Sequence, residues 1–198
     1  MTKDDIITLP NPHLREKSKR VGVITDQIKE IVQEMEAATM DWDKSRDHEV
    51  GVALAAVQID RLYKIVIVRD DYEDKNNNSF TVFINPEITK REGEVVEDFE
   101  GCLSVKNIYG KVPRHTKVKV KALDLEGREF RVTATDFLAR IFQHEIDHTN
   151  GIVFIDHIKD KPNAFFKLDD DGKLQALDYK DEVEQNPVLW QWAPGNRP

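Results

Sequence analysis

The stretch Gln143-His144-Glu145-Ile146-Asp147-His148 predicts a helix that carries a metal site. Histidines four residues apart lie on one face of a helix, so both imidazoles can reach one cation. Phe137 and Ile141 extend the histidine stripe at helical spacing, and Gly151 suits the helix end. The glutamate between the histidines lies beside that face, close enough to take a proton from metal-bound water. The alternative is a core helix whose histidines have only structural partners.

Two histidines leave a metal ion short of ligands, and the downstream sequence offers only weak candidates for a third. The extended zinc-peptidase motif requires a histidine at the position that Phe154 occupies here. Another peptidase class uses a downstream glutamate, but Glu182 and Glu184 are distant and lie in a polar region. His157 is nearer in sequence, but it follows an apolar run that is typical of buried core. A zinc endopeptidase is therefore a hypothesis without a convincing third ligand.

Cys102, the only cysteine of the chain, is a better candidate upstream. A lone cysteine forms no internal disulfide, so it is an inert buried thiol, a nucleophile or a metal ligand. Free cysteines are commonly buried and inert, which favours the first interpretation on composition alone. The surroundings favour the third, because Val95 and Val96 indicate an extended segment and Gly101 allows close backbone approach. One thiolate and two imidazoles would form a three-ligand catalytic site with an open position for water.

Three short motifs follow one another along the chain, and the third is the histidine stretch. The first is Gly51-Val52-Ala53-Leu54-Ala55-Ala56-Val57-Gln58, and the second is Glu100-Gly101-Cys102-Leu103-Ser104. In this order they resemble the motifs of the peptide deformylases, metal hydrolases that remove the formyl group from the N-terminal methionine of newly made proteins. The resemblance implies an α+β fold, with antiparallel β-sheets packed around a central metal-binding helix. This domain would comprise residues 1–160. Residues 161–198 carry none of the resemblance and are expected to dock on the domain, since Trp190 and Trp192 are costly to leave in water; the alternative is that they serve a partner.

The resemblance also implies a role for individual residues. The metal ligands would be Cys102, His144 and His148. The ion would be ferrous iron, with nickel, cobalt or zinc as substitutes. Glu145 would act as the general base, and the Gln58 amide and the Leu103 backbone N–H would stabilise the oxyanion. The substrate-binding positions would be Val52, Ala53, Glu100, Gly101, Arg140 and Ile141. The expected partners are N-formylated nascent peptides and, near its exit tunnel, the ribosome.

Some departures from the family pattern concern the substrate pocket. Ala53 replaces a glycine, and its methyl group would narrow the cleft. Asp98 and Arg140 stand where the family tends to be apolar, and a pair between them across the pocket would make it polar. Alternatively, Arg140 directs its charged head to solvent and covers the core with its stem. The pair favours an alternative function, a paralogue that is weakly active or acts on a different N-formyl or N-acyl peptide.

Composition restricts the remaining classes of function. The formal net charge of −8 argues against direct nucleic-acid readout, because phosphate binding needs a basic surface. Hydrophobic residues make up 39% and charged residues 33%, and no apolar stretch is long enough to span a membrane. The first residues contain no signal-peptide core, and the single cysteine fits a reducing compartment. We therefore expect a cytoplasmic protein without a membrane partner.

Hydrophobic periodicity predicts the elements around the motifs. An amphipathic helix is expected over 24–42, followed by strands over 64–68 and 80–85. Residues 117–125 and 128–133 alternate on either side of Glu126-Gly127, which predicts a β-hairpin directly before the histidine helix.

Overall fold

A computed structural model describes residues 1–45, 49–74, 76–169 and 171–195 of the chain. In chain order the main helices and strands are α1 (Asp26–Asp43), β1 (Ala53–Ala55), β2 (Ile65–Arg69), β3 (Phe80–Cys102), β4 (Val105–Leu123), β5 (Glu129–Thr135), α2 (Asp136–His148), β6 (Phe165–Leu168), β7 (Leu174–Ala176) and α3 (Pro187–Trp190). Among the described residues, none of the helices is both long enough and apolar enough to cross a membrane.

The strands form one antiparallel sheet in which β4 has three neighbours. Within the described residues the sheet has seven strands in the order β1-β2-β3-β4-β6-β7, and β5 pairs with the C-terminal part of β4. β3 and β4 form the longest pairing, a hairpin closed by a tight turn between Cys102 and Val105. β6 pairs with the N-terminal part of β4, at Tyr109 and Gly110. The predicted α+β class with antiparallel strands is confirmed.

The sheet packs between two helices, and β2 shows how the sequence achieves this. Every residue of β2 is buried, and side chains alternate between the two faces of a strand. Ile65 and Ile67 join the buried cluster that contains α1, whereas Val66 and Val68 join the cluster that contains α2. The continuous apolar run of β2 thus serves two cores and fixes both helices relative to the sheet.

Most predicted elements are present, with changes in their bounds. The helix predicted over 24–42 is α1, and the predicted hairpin corresponds to β5 and the C-terminal part of β4. The strand predicted to end at residue 85 instead continues as β3 to Cys102. Its middle is mostly exposed, with Val95 56% accessible, so no buried face marked it in the sequence. Backbone pairing with β4 keeps this segment extended as far as the second motif.

The residues after the third motif pack against the sheet and against the second motif. Of the predicted extension over 161–198, residues 161–169 and 171–195 are described. Trp190 is buried, and its indole N–H donates to the carbonyl of Val183 at 2.6 Å. Trp190 belongs to the same buried cluster as Phe154 and Phe165, and Cys102 packs against that cluster. The tail therefore supports one side of the region where the motifs meet.

Candidate active site

One cysteine and two histidines meet where the β3–β4 turn approaches α2. The Cys102 sulfur and one ring nitrogen each of His144 and His148 lie within 4.8 Å of one another. The Cys102 sulfur is 3.2 Å from Nε2 of His148. α2 presents both imidazoles on one face, with their ring centroids 4.9 Å apart. The three donors converge on one point, where they can hold a metal ion.

Hydrogen bonding fixes the orientation of the His144 ring. Its Nδ1 lies 2.9 Å from Oε2 of Glu100, which leaves the other ring nitrogen to interact with the Cys102 thiol. Burial opposes the charged imidazole, but hydrogen bonds with Cys102 and Glu100 raise the pKa of His144 above its usual value. Burial lowers the pKa of His148. A thiolate and two imidazoles, one of them oriented by a carboxylate, fit a first-row divalent metal.

Glu145 lies beside the three donors and is almost fully enclosed. Its Oε2 is buried and has no hydrogen-bond partner among the described residues. Burial raises the pKa of Glu145 from a usual value of 4.5 to about 7. A carboxyl group with a pKa near neutrality can both accept and release a proton at physiological pH. Glu145 also lines a cavity, so it can exchange this proton with a bound molecule.

The cavity has a volume of about 420 Å³ and lies between β1, the β3–β4 turn and α2. The residues singled out in the sequence that line it are Val52, Ala53, Gln58, Glu100, Gly101, Cys102, Leu103, Arg140, Ile141, His144 and Glu145. His148 is fully buried and does not line it. Phe137, from the predicted histidine stripe, also lines the cavity. The wall further contains four aromatic side chains that were not expected there: Trp42, Tyr72, Phe99 and Tyr109. They come from separate stretches of the chain, so no local motif identifies them as a group.

The amide of Gln58 is held in one orientation beside the cavity. Its side-chain oxygen accepts a hydrogen bond from the backbone N–H of Ala55 at 2.8 Å. Its Nε2 donates to Oγ of Ser104 at 3.2 Å and lies 3.6 Å from the Cys102 sulfur. Leu103, between those two residues, also lines the cavity. The donor end of the amide therefore faces the candidate metal donors.

The predicted pair between Asp98 and Arg140 is wrong. Asp98 is exposed and outside the cavity lining, and its carboxylate accepts a hydrogen bond from the N–H of Phe99 at 2.8 Å. The solvent-directed alternative is wrong as well, because the Arg140 side chain is only 9% exposed. Its guanidinium instead donates to Oε1 of Glu100 at 2.9 Å. Burying a second carboxylate beside Glu100 would be costly, so Asp98 stays in solvent.

Glu100 is the centre of a buried charge network that includes an unexpected residue. Arg114 on β4 donates from Nε to Oε1 at 2.9 Å and from Nη2 to Oε2 at 3.1 Å. Burial opposes the ionisation of Glu100, but hydrogen bonds from His144 and Arg114 hold its pKa well below the usual 4.5. No sequence pattern marks Arg114, because its position near Glu100 depends on the register between β3 and β4. Protein partners thus occupy both oxygens of Glu100.

The other candidates for a third metal ligand lie away from the two histidines. Nε2 of His157 is 2.7 Å from the carboxylate of Asp147. Glu182 forms an ion pair with Lys167, and Glu184 is exposed. None of these three candidates joins the group of metal-type donors found in the described part of the chain. The endopeptidase hypothesis therefore has no third ligand of its own.

Comparisons with known proteins identify relatives over most of the chain. A family model described as polypeptide deformylase matches residues 3–164, which end directly before β6. A peptide deformylase of Thermomicrobium roseum is 40% identical over 169 residues, covering 84% of this chain and 92% of that protein. A peptide deformylase 2 of Nostoc is 38% identical over 164 residues, covering 80% of this chain and 88% of that protein.

Solved structures show the same similarity in three dimensions. A peptide deformylase from Synechococcus elongatus, in complex with actinonin, matches with a TM-score of 0.68 and 34% identity. The match covers 77% of this chain and 78% of that one. A peptide deformylase from Legionella pneumophila matches with a TM-score of 0.68 and 36% identity, covering 77% of this chain and 83% of that one.

Proposed function

This chain belongs to the peptide deformylase family, and from that membership we propose how its cleft carries out deformylation. The protein is a hydrolase that removes the N-formyl group from nascent peptides. One observation carries this chemistry to individual residues: Cys102, His144 and His148 converge beside Glu145, at a cavity that can admit a peptide end.

The metal ion that this chemistry requires has a suitable set of donors. We propose Cys102, His144 and His148 as its ligands, with ferrous iron as the native metal and nickel, cobalt or zinc as substitutes. Three protein donors leave a coordination position open, which is typical of catalytic sites. When bound, the metal supplies Lewis-acid chemistry, acidifying water and polarising the formyl carbonyl. Glu100, 2.9 Å from Nδ1 of His144, orients that imidazole and fixes its tautomer.

Glu145 is the group that moves the proton. Its carboxylate takes a proton from the attacking water, and a pKa of about 7 makes that proton available again. The same carboxyl group then protonates the leaving amine nitrogen as the C–N bond breaks. The products are formate and a peptide with a free N-terminus.

Two hydrogen-bond donors stabilise the negative charge that develops on the formyl oxygen. Nε2 of Gln58 is directed into the cleft because Ala55 holds the other end of the amide. The backbone N–H of Leu103, in the turn of the second motif, is the second donor. Donors that are oriented before the reaction starts stabilise the transition state without further reorganisation.

The peptide itself lies along the cavity wall. Val52 and Ala53 on one side and Gly101 on the other flank its backbone, and Ile141 contributes an apolar contact. Glu100 also lines the cavity, and it acts through His144, because protein partners occupy its oxygens. Because the substrate is a nascent chain, the cytoplasm and the ribosomal exit tunnel are the proposed place of action. The alternative of an altered pocket loses one of its grounds, the pair between Asp98 and Arg140, and keeps only Ala53, which lines the cavity.

Formate release tests this proposal. Protein purified without oxygen and loaded with ferrous iron or nickel should release formate from formyl-Met-Ala-Ser. Glu145→Ala should abolish release while the metal content stays unchanged. The matched control is Glu126→Ala in the exposed turn between β4 and β5, which should leave both quantities unchanged. Turnover that survives Glu145→Ala would contradict the general-base role. Absence of release from the folded, metal-loaded protein would contradict the proposed function.

A further inference from the structure

Arg140 ties α2 to both strands of the β3–β4 hairpin. Its Nη1 donates to the carbonyl of Val112 on β4 at 2.7 Å, and its Nη2 donates to the carbonyl of Val96 on β3 at 2.9 Å. Nη1 also donates to Oε1 of Glu100 at 2.9 Å. One buried side chain thus joins three elements at the wall of the cavity.

The Glu100 carboxylate is shared by groups from two of these elements. Arg114 comes from β4 and Arg140 from α2, and each places a nitrogen 2.9 Å from Oε1. His144, also from α2, has its Nδ1 2.9 Å from Oε2. Arg114 holds the carboxylate relative to β4, and its Nη1 also donates to Oδ2 of Asp147 at 2.5 Å, near the C-terminal end of α2. Arg140 adds a direct restraint between α2 and Glu100 one turn before His144, on the same helix face.

We propose that Arg140 is a positioning residue, which sets the orientation of the His144 imidazole by clamping Glu100 against α2. The inference rests on the proposed function, in which His144 is a metal ligand. Arg140 holds Oε1 and Arg114 holds both oxygens, so together they limit movement of the Glu100 carboxylate along the helix, and the His144 ring keeps one direction toward Cys102. Groups that orient a ligating histidine typically change metal affinity or activity by about 10- to 100-fold when they are removed.

The contacts of Arg140 favour positioning over selection of the substrate. Its two terminal nitrogens donate to Glu100 and to three backbone carbonyls, those of Val96, Asp98 and Val112. Three of these four contacts come from Nη1, so this nitrogen is fully engaged with the protein and fixes the guanidinium against the β3–β4 hairpin. If Arg140 instead selected the substrate, its replacement would change the preference between formylated peptides.

Two variants of the cobalt-loaded protein, Arg140→Met and Arg140→Lys, distinguish positioning of His144 from substrate selection. Methionine removes every donor, whereas lysine keeps the charge but loses the planar fork that reaches several acceptors. We expect both variants to alter the visible absorption of bound cobalt, which reports ligand geometry. The methionine variant should bind cobalt about 10- to 100-fold more weakly. Its kcat for formyl-Met-Ala-Ser should fall, while KM and the preference over formyl-Leu-Ala-Ser stay unchanged.

Gln143→Met is the matched control for the docking of α2. Gln143 is also buried on α2, and its amide donates to the carbonyl of His115 on β4 at 2.9 Å and accepts from the N–H of His115 at 3.1 Å. Its loss weakens the tie between α2 and β4 without removing a partner of Glu100. We expect a lower Tm and an unchanged cobalt spectrum.

Several results would overturn the role of Arg140. One is an unchanged cobalt spectrum and affinity in both Arg140 variants, and another is the same spectral change in Gln143→Met. A changed substrate preference with an unchanged spectrum would assign Arg140 to substrate selection. If Arg140→Met does not fold, the cobalt spectrum, cobalt affinity and kinetics of Arg140→Lys test the proposal instead. Failure of the proposed function would look different, because the unaltered protein would then release no formate.

Discussion

The side-chain oxygen of Gln58 accepts a hydrogen bond from the backbone N–H of Ala55 at 2.8 Å, and this contact decides which end of the amide meets the cleft. The other end, Nε2, is 3.2 Å from Oγ of Ser104 and 3.6 Å from the Cys102 sulfur. The two anchors belong to different motifs, so an oriented donor exists only when the first motif has folded against the β3–β4 turn.

Gln58→Glu should lower kcat by about 10²- to 10³-fold, because it replaces an oriented donor with a group that repels the developing oxyanion. KM and metal content should change little, since the lost interaction strengthens only in the transition state. Steady-state formate release and metal analysis measure these quantities. Gln27→Glu, on the exposed face of α1, controls for the added charge. A normal kcat in Gln58→Glu would remove Gln58 from the oxyanion site.

Cys102→Ser should release the metal, because a neutral hydroxyl is a far weaker ligand than a thiolate for these metals. We expect metal content after dialysis against a mild chelator to fall from stoichiometric to near zero, with formate release lost in parallel. His13→Gln is the control, since His13 is a half-exposed histidine paired with Asp60 outside the cavity. Stoichiometric metal in dialysed Cys102→Ser would show that the ligand set is wrong.

Glu145 makes the stability of the protein depend on pH once a chelator has removed the metal. Burial raises its pKa from 4.5 to about 7. Between these two pH values the Glu145 carboxyl is therefore ionised in the unfolded chain and protonated in the folded chain. The unfolded state then binds fewer protons, and the free energy of unfolding falls as pH rises through this window. The full loss is about 3 kcal/mol, at 1.36 kcal/mol for each pKa unit.

Glu145→Gln should remove this component, because an amide does not titrate in the window. Urea denaturation below pH 4.5 and above pH 7 should show a smaller loss of stability in Glu145→Gln than in the unaltered protein. The difference between the two proteins isolates Glu145, since the other titrating groups are common to both. Glu126→Gln in an exposed turn should titrate like the unaltered protein. If all three proteins lost the same stability between these pH values, burial would not be raising the pKa of Glu145.

Local spacing explains why the donor helix could be predicted. The positions of His144 and His148 on one face depend only on helical periodicity, and α2 ends at His148, close to the expected Gly151. The lone cysteine required one further inference, that an extended segment would carry Cys102 to that face. Such features follow from neighbours in sequence, which is the information that a single chain contains.

The charged groups around the donors could not be predicted in the same way. Arg114 reaches Glu100 through the pairing of β3 with β4, whose register shifts between Glu92 and Val95 and again between Glu100 and Cys102. Strand alternation does not say which of the two carboxylates, Asp98 or Glu100, the nearby arginines will bind. Arg140 therefore pairs with Glu100, a partner that spacing alone did not distinguish.

The C-terminal residues allow a test of how firmly the tail is attached. We propose that residues 161–198 form an extension docked on the domain of residues 1–160. Trp190 is 5% exposed, its indole N–H donates to the carbonyl of Val183 at 2.6 Å, and the Lys159 ammonium lies 5.4 Å from its ring centroid. Trp190→Ala should therefore lower the free energy of unfolding by about 3–5 kcal/mol, because it leaves a large cavity in the shared cluster.

Val188→Ala is the control for this change, because Val188 lies in the same short helix but is 46% exposed. Val188→Ala should change the free energy of unfolding by no more than about 0.5 kcal/mol, as is usual for surface substitutions. Chemical denaturation followed by circular dichroism measures both, and a single transition in each variant would show that tail and domain unfold together. If the two variants lost similar amounts of unfolding free energy, Trp190 would not be docked on the domain. A separate early transition in the unaltered protein would mean that the tail unfolds independently of the domain that carries Cys102.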